Sequence, residues 1–213
     1  TYEELEKKIK KLQTDKDGNL IILYAQNKDE QYTFIESAKE KGYEVLLLDS
    51  PIIPHLMQKL ESKKEKIKFS RVDSDTLENL IKKDEEVISK LTDEEKEKLK
   101  PMIETAVENE KYTVQLEALD SNSMPFMLAQ PEFMRRMKEM QQTGGGAMGN
   151  LPDMYSLIVN TNHELVGKIL NTRTEKKRNS LIKQSIDLAK LSQNNLTGKD
   201  LTEFINRSID LIK

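Results

Sequence analysis

A continuous apolar run near the start of the chain constrains the fold more than any other feature. Residues 20–25 read Leu-Ile-Ile-Leu-Tyr-Ala, without the alternation that marks a half-exposed strand. A run of this kind is typical of a strand buried on both faces. A helix pattern over residues 29–41 follows it, ends at Gly42, and leads to a second apolar run at residues 45–48, predicted to be equally buried. A strand, a helix and a strand in this order favour a parallel sheet with a right-handed crossover, so residues 1–84 are predicted to form a small α/β unit.

The rest of the chain, residues 85–213, predicts a mixed α/β domain that ends in a helical hairpin. Thr92 and Glu95 have the spacing of a capping box, so a helix is predicted to begin there. Thr161 and Glu164 repeat that spacing before another helix. The fold class is therefore predicted to be α+β. The other elements predicted here are an apolar segment at residues 125–129, strands at residues 112–119 and 155–159, and helices at residues 131–141, 175–192 and 198–212.

Composition excludes several kinds of function. The 34 basic and 37 acidic residues give a net charge of -3, which argues against nucleic-acid binding through bulk charge. The longest apolar run is far shorter than the roughly 20 residues of a membrane-spanning helix. The absence of cysteine excludes disulfides and thiolate zinc sites, and two histidines cannot form a histidine-rich metal site. A chain that begins with Thr1 is expected to be a piece of a longer protein, so the lack of a signal peptide gives no information on its location.

No motif predicts a catalytic residue, a cofactor-binding residue or a metal ligand. Gly144, Gly146 and Gly149 match a phosphate-binding pattern, but they follow a Met-rich helix rather than a strand, which favours a linker. The turn after the first strand contains no glycine. His163 follows a strand without a nucleophile in a recognisable context, so we interpret it as a capping residue at the start of a helix. His55 has no catalytic context either.

Methionine is concentrated in one short region of the chain. Seven of the nine methionines lie between residues 124 and 154. Phe133, Met137 and Met140 share one face of a predicted helix, while Met134 lies at its edge and basic residues take the opposite side. Such a stripe usually belongs to a core. Because methionine suits adaptable surfaces and a glycine-rich segment follows, an exposed apolar binding surface is the alternative.

The last predicted helix carries a wide apolar arc. The arc covers about 160° of the helix surface, more than the ~100° that one core contact needs. The preceding helix shows two apolar stripes. One interpretation packs this hairpin on its own sheet, and the other pairs it with a second copy as a four-helix bundle, which the width of the arc favours. The residues predicted to form the dimer interface are Leu181, Ile182, Leu188, Leu201, Phe204, Ile205, Ile209 and Ile212.

Several segments resemble the heat shock protein 90 chaperones. Tyr-Glu-Val-Leu-Leu-Leu-Asp at residues 43–49, followed by Pro-Ile, is similar to the end of their middle domain, as is Arg-Val-Asp at residues 71–73. Phe-Met-Arg-Arg-Met-Lys-Glu-Met at residues 133–140 looks closest to the bacterial branch. The order of the later elements, with Asn160 and His163 after a strand, resembles their C-terminal domain. The resemblance covers essentially the whole chain.

The resemblance implies a molecular chaperone fragment with two parts. Residues 1–84 would be the αβα three-layer end of the middle domain, and residues 85–213 the dimerisation domain. ATP and magnesium would bind the full-length protein in a domain absent here, so this fragment is expected to be neither an enzyme nor cofactor-binding. The implied partners are a second copy and unfolded or partly folded clients, without nucleic acid or membrane, and the implied location is the cytoplasm. The residues expected to contact clients are Phe126, Met127, Phe133, Met134, Met137 and Met140.

Two other functions stay open at this point. A dimerisation or scaffold module without client binding would share every feature of the terminal helices. A nucleotide-binding α/β enzyme would need a phosphate-binding glycine turn, which the first strand lacks.

Overall fold

The computed structural model describes residues 1–84, 87–107, 111–137 and 154–212. These residues divide into two compact units. Unit 1 consists of residues 1–84 and 130–137, and unit 2 consists of the remaining described residues. The chain therefore builds most of unit 1, passes into unit 2, and returns to unit 1, whereas the sequence predicted a single boundary between residues 84 and 85.

A three-stranded parallel sheet forms the centre of unit 1. Its strands are β1 (Leu20–Ala25), β2 (Val45–Leu47) and β3 (Ile67–Arg71), in the order β2-β1-β3. Every residue of β1 is buried, as the apolar run predicts for a strand with a layer on each face. The prediction for β2 is wrong, because β2 is an edge strand whose Leu47 is exposed. A short apolar run does not reveal which strands flank it.

Helices cover the sheet of unit 1. They include α1 (Tyr2–Ile9), α2 (Tyr32–Glu40), α3 (Ile53–Lys63) and α4 (Leu77–Leu80). Side chains of α1 and α3 pack against Leu20, Ile22 and Tyr24, which share one face of β1. α2 buries the apolar positions that its sequence pattern predicts. Gly42 follows α2 with a φ of +75°, the left-handed conformation that glycine adopts readily after a helix.

Unit 2 contains a mixed sheet and the longer helices. Its strands are β4 (Tyr112–Glu117), β5 (Phe126–Ala129) and β6 (Tyr155–Asn160), with β6 between the other two, parallel to β4 and antiparallel to β5. Helix α5 (Asp93–Glu104) begins this unit, and residues 132–137, between β5 and β6 in sequence, form α6 in unit 1. Unit 2 ends with α7 (Glu164–Asn171), α8 (Glu175–Ser192) and α9 (Gly198–Ile212). The fold is α+β, as predicted.

The core of unit 2 lies between its sheet and helices α5, α7 and α8. Buried side chains from all of these elements meet there, among them Leu99, Leu157 and Ile182. Thr92 and Glu95 form the predicted capping box, which satisfies backbone N–H groups at the start of α5. None of the helices that the structure describes combines the length and the apolar character needed to cross a bilayer.

Candidate interaction surfaces

Helix α6 is attached to unit 1 through its charged side chains. The basic side of the predicted helix does not lie in solvent, because Arg135 is 3% exposed and the Arg136 side chain is also largely buried. The helix therefore turns inward the face that would ordinarily be the solvated one. Five side chains, called the α6 anchor below, make this attachment: Tyr24, Glu61, Glu132, Arg135 and Arg136.

Glu132 lies at the centre of the α6 anchor. Its Oε1 accepts from the Tyr24 hydroxyl at 2.8 Å, from Nη2 of Arg135 at 2.6 Å and from Nε of Arg136 at 2.7 Å. Its Oε2 accepts from the backbone N–H of Arg71 at 3.2 Å. Arg135 also donates to the Tyr24 hydroxyl, and its guanidinium carbon lies 5.6 Å from the centroid of the Tyr24 ring. One carboxylate thus joins α6 to the ends of β1 and β3.

A second set of contacts joins α6 to the outer edge of β3. Arg136 donates through Nη2 to the carbonyl of Phe69 at 2.6 Å and through Nη1 to Oε2 of Glu61 at 2.7 Å. Glu61, on α3, accepts from the backbone N–H of Phe69 at 2.7 Å. Both backbone polar groups of Phe69 are therefore bonded to charged side chains rather than to another strand.

The electrostatics of the α6 anchor favour its charged form. Burial raises the pKa of the Glu132 carboxyl, but the guanidinium groups of Arg135 and Arg136 outweigh it, so the pKa lies below its usual value. Burial and the neighbouring Glu132 raise the pKa of the Tyr24 hydroxyl, which therefore remains a donor. Burial lowers the pKa of Arg136, but hydrogen bonds to Glu61 and Glu132 raise it above its usual value. The anchor is a network of paired charges at neutral pH.

The apolar side of α6 faces outward over the part that the structure describes. Phe133 is 69% exposed, and Met134 and Met137 are partly exposed. Met140, predicted for the same surface, lies outside the described residues, as does the glycine-rich segment at residues 144–149. The outward position of Phe133 follows from the α6 anchor, because the buried arginines occupy the opposite side of the helix.

The two residues of β5 that were predicted to contact clients belong to unit 2. Phe126 was predicted to contact clients, but it is 2% exposed and belongs to the core of unit 2, which corrects that prediction. Its burial follows from its pairing with Val159 on the central strand β6, which a short apolar segment does not reveal. Met127 points to the other face and is partly buried against a smaller cluster that contains Ile158.

The terminal helices α8 and α9 carry an exposed apolar stripe. Leu188 is 48% exposed, Ile205 and Ile209 are each 47% exposed, and Ile212 is 86% exposed. Leu191 is also exposed, and it was not among the residues predicted for the dimer interface. Its signal is its spacing, because it follows Leu188 by three residues and so shares its face of α8. These five residues are called the terminal stripe below.

The other residues predicted for a dimer interface lie deeper. Ile182 is fully buried in the core of unit 2, so it is not available to a partner, and that prediction is corrected. Leu181 is partly buried against the same core. Phe204 is buried and Leu201 is partly buried on α9, which packs on α8. One side of the hairpin thus stabilises its own unit, and the other side is open.

A buried ion pair orients α9 on α8. Arg207 donates to the carboxylate of Asp187, which is buried, and through Nε to Oε1 of Gln184 at 3.4 Å. Gln184 in turn donates to the hydroxyl of Ser208 at 2.9 Å. These polar contacts fix the rotation of α9 that leaves the terminal stripe outward.

A buried polar cluster at the end of β6 went unrecognised in the sequence. Asn160 accepts from the backbone N–H of Leu119 at 3.2 Å. Asn162 donates to the carbonyl of Ile88 at 3.0 Å and accepts from the backbone N–H of Lys90 at 2.6 Å. These bonds satisfy backbone groups of two connecting segments, which gives the asparagines a structural role. The sequence pattern that could have predicted this cluster is Asn-x-Asn at residues 160–162, directly at the end of a strand.

His163 follows this cluster and caps α7. Its Nδ1 accepts from the backbone N–H of Leu165 at 3.0 Å, so its interpretation as a capping residue is confirmed. The capping box predicted to begin at Thr161 is wrong, because the Thr161 hydroxyl donates instead to the carbonyl of Glu117 at 3.1 Å. His55 is exposed on α3.

ATP and magnesium, which the resemblance implies for the full-length protein, find no matching site among the described residues. The turn after β1 consists of Gln26, Asn27 and Lys28, without the glycine that lets a backbone approach a phosphate. Within the same ranges, no group of three or more Asp, Glu, His or Cys side chains could hold a metal ion.

Relatives of the chain are found among known chaperones, although no family profile matches it. Chaperone protein HtpG of Bacteroides thetaiotaomicron is 36% identical over the whole chain. Chaperone protein HtpG of Porphyromonas gingivalis is 40% identical over 90% of the chain. The chain spans 41% and 29% of the lengths of these two proteins. Because this identity extends over the entire chain and recurs among such proteins, the chain belongs to the heat shock protein 90 family, in the branch of bacterial HtpG.

Proposed function

We propose that this chain is the dimerising and client-binding part of an HtpG chaperone. Its relatives are named chaperones, and it spans less than half of their length. The observation that carries the proposal is the terminal stripe, an apolar surface on two adjacent helices at the end of unit 2. Exposed apolar patches of this kind mark interaction sites.

The terminal stripe supports dimerisation through a four-helix bundle. Its members are all large aliphatic side chains that the core of their own unit leaves uncovered. Full burial of one such side chain contributes ~1.5–3 kcal/mol, so burial of the stripe in both copies is a large favourable term. A stripe on a helical hairpin is self-complementary about a twofold axis, which brings four helices together.

Sedimentation of the 213-residue chain tests dimerisation. The double variant Ile205→Asp, Ile209→Asp should sediment as a monomer with an unchanged circular dichroism spectrum. Ile88→Asp is the control, because Ile88 is also an exposed isoleucine of unit 2 but lies outside the stripe. A wild-type chain that is monomeric at about 50 μM, where a micromolar dimer is largely formed, would contradict the proposal.

The outward side of α6 supports client binding. Phe133, Met134 and Met137 offer aromatic and thioether groups that adapt to different apolar partners. The α6 anchor holds the helix by its opposite face, so these side chains are not needed for its attachment. An adaptable apolar surface suits unfolded proteins, which share exposed apolar residues rather than a sequence.

Affinity for a permanently unfolded protein, reduced and carboxymethylated lactalbumin, tests client binding. Phe133→Ser should weaken binding by roughly tenfold, as loss of an aromatic anchor does, with little change in stability. Tyr32→Ser is the control, because Tyr32 is also an exposed aromatic residue of unit 1. Unchanged affinity in Phe133→Ser would reject this surface, and no binding by any variant would favour a scaffold without clients.

In the full-length protein, ATP hydrolysis outside this chain would drive closure of a clamp. The dimer formed by unit 2 would keep the two arms joined throughout that cycle. A cytoplasmic location, which the resemblance to the heat shock protein 90 chaperones implies, belongs to the same proposal.

A further inference from the structure

The outer edge of β3 is closed by side chains instead of a strand. Leu20 donates to the carbonyl of Lys66, and Val72 donates to the carbonyl of Tyr24, so the even-numbered residues of this segment face β1. Alternation along a parallel strand then turns the backbone groups of Phe69 and Arg71 outward. A strand added at this edge would meet the N–H of Phe69, the carbonyl of Phe69 and the N–H of Arg71, in that order.

All three of these backbone groups are hydrogen-bonded to charged side chains. Glu61 accepts from the N–H of Phe69, Arg136 donates to its carbonyl, and Glu132 accepts from the N–H of Arg71. Two of the three side chains come from α6, which thus covers the edge that sheets must protect from pairing with other chains.

The attachment of α6 at this edge is of a kind that can be reversed. Its bonds are ionic and hydrogen bonds, and the side chains of Glu132 and Arg136 remain 21% and 17% exposed, so water and salt reach them. A peptide backbone offers a donor or acceptor in place of each bond that α6 makes to β3. Phe133, the largest apolar side chain of α6, faces away from the edge and does not retain the helix there.

We propose that the outer edge of β3 binds an extended segment of an unfolded protein as a fourth strand, and that α6 blocks this site in the structure described here. The segment would accept from the N–H groups of Phe69 and Arg71 and donate to the carbonyl of Phe69. Recognition through backbone groups is tolerant of sequence, which suits partners that share only an unfolded state. The inference rests on the proposed client binding but assigns a surface distinct from the outward side of α6.

Release of α6 by substitution tests the site in the full 213-residue chain. Arg136→Ala removes the donor to the Phe69 carbonyl and one cationic partner of each of Glu61 and Glu132. Affinity for reduced and carboxymethylated lactalbumin should rise about tenfold, since charge-assisted bonds hold the blocking helix. Lys68→Ala is the matched control, because it removes an exposed positive charge from the same strand without touching the α6 anchor.

Amide hydrogen exchange resolved by residue locates the bound segment. In Arg136→Ala without ligand, the amide of Arg71 should exchange at least about tenfold faster than in the wild type, because its acceptor Glu132 leaves with α6. Addition of the unfolded protein should restore the protection of this amide. Glu132→Gln keeps the shape of the side chain and should show the same direction of change, so the test stands even if Arg136→Ala fails to fold.

The outcomes separate this site from the outward surface of α6. In the double variant Phe133→Ser, Arg136→Ala, the unfolded protein should still protect the amide of Arg71 from exchange. This result supports binding at the edge of β3 even if the outward surface of α6 binds nothing. Binding without protection of this amide, or unchanged affinity in both Arg136→Ala and Glu132→Gln, would overturn the inference. Association of Arg136→Ala into species larger than the wild-type dimer, in place of binding, would assign the edge to a second copy, which also overturns the inference.

Discussion

Helix α6 and the terminal helices use apolar and charged side chains in opposite ways. In unit 2, α8 buries Ile182 in the core, and the Asp187–Arg207 pair then orients α9 on it. In unit 1, α6 buries Arg135 and leaves Phe133 in solvent. Both regions present an apolar surface outward. Only the surface of the terminal helices has an apolar core beneath it.

The difference shows that an amphipathic pattern does not decide which face of a helix packs. The inward face of α6 is charged because the fold brings Tyr24, Glu61 and the edge of β3 to the same place. A buried arginine is tolerated when carboxylates and carbonyls satisfy it. The helix can therefore present its apolar side without losing its attachment.

The largest expected effect separates the two sides of the terminal hairpin. Ile182→Ala should lower the free energy of unfolding by ~2–5 kcal/mol, because it opens a cavity in the core. Ile205→Ala should change it by less than about 0.5 kcal/mol in the monomer, as exposed substitutions usually do. Chemical denaturation below the dimer dissociation constant measures both, and similar losses would show that the two faces are equally buried.

The next effect concerns the α6 anchor. Glu132→Gln should lower the free energy of unfolding by ~1–3 kcal/mol, because it removes the carboxylate that pairs with Arg135 and one of the two carboxylates that pair with Arg136. Glu97→Gln, on the exposed side of α5, should change it by less than about 0.5 kcal/mol. Chemical denaturation at neutral pH compares the two variants, and equal effects would mean that charge does not hold α6.

A smaller effect depends on pH. The pKa of Glu132 is lower in the folded chain than in the unfolded chain, so the folded state binds fewer protons. This carboxylate therefore stabilises the fold above its unfolded pKa of about 4.3, and the contribution is lost as the pH falls through the folded value. Chemical denaturation at about pH 6, 4 and 3 should show that the difference in free energy of unfolding between wild type and Glu132→Gln becomes smaller as the pH falls. A constant difference would contradict an ionised anchor.

The smallest expected effect on stability comes from the outward side of α6. Phe133→Ala should change the free energy of unfolding by less than about 0.5 kcal/mol, because this side chain is already in water. Thermal and chemical denaturation both measure this quantity. A loss above about 2 kcal/mol would place Phe133 in a packed core and remove the contrast with Arg135.

Local patterns were sufficient for most elements but not for their surroundings. A continuous apolar run predicted β1, the Thr92–Glu95 spacing predicted the capping box, and helix periodicity predicted both terminal helices. Each of these patterns lies within a short stretch of sequence. The edge position of β2 and the burial of Phe126 depend on strand order, which no local pattern carries. The inward arginines of α6 depend on partners more than 60 positions earlier, so their burial could not be predicted from the stripe alone.

The return of the chain from unit 2 to unit 1 has a consequence for biosynthesis. Tyr24 and Glu132 are separated by 108 positions, so the edge of β3 stays uncovered until α6 has been made. At ~5–20 residues per second, translation from residue 84 to residue 136 takes roughly 3–10 s. During that interval the nascent chain carries an open strand edge, the feature by which neighbouring polypeptides on a polysome pair and aggregate. During its own synthesis, this member of a chaperone family thus passes through a short period in which a chaperone would protect it from aggregation.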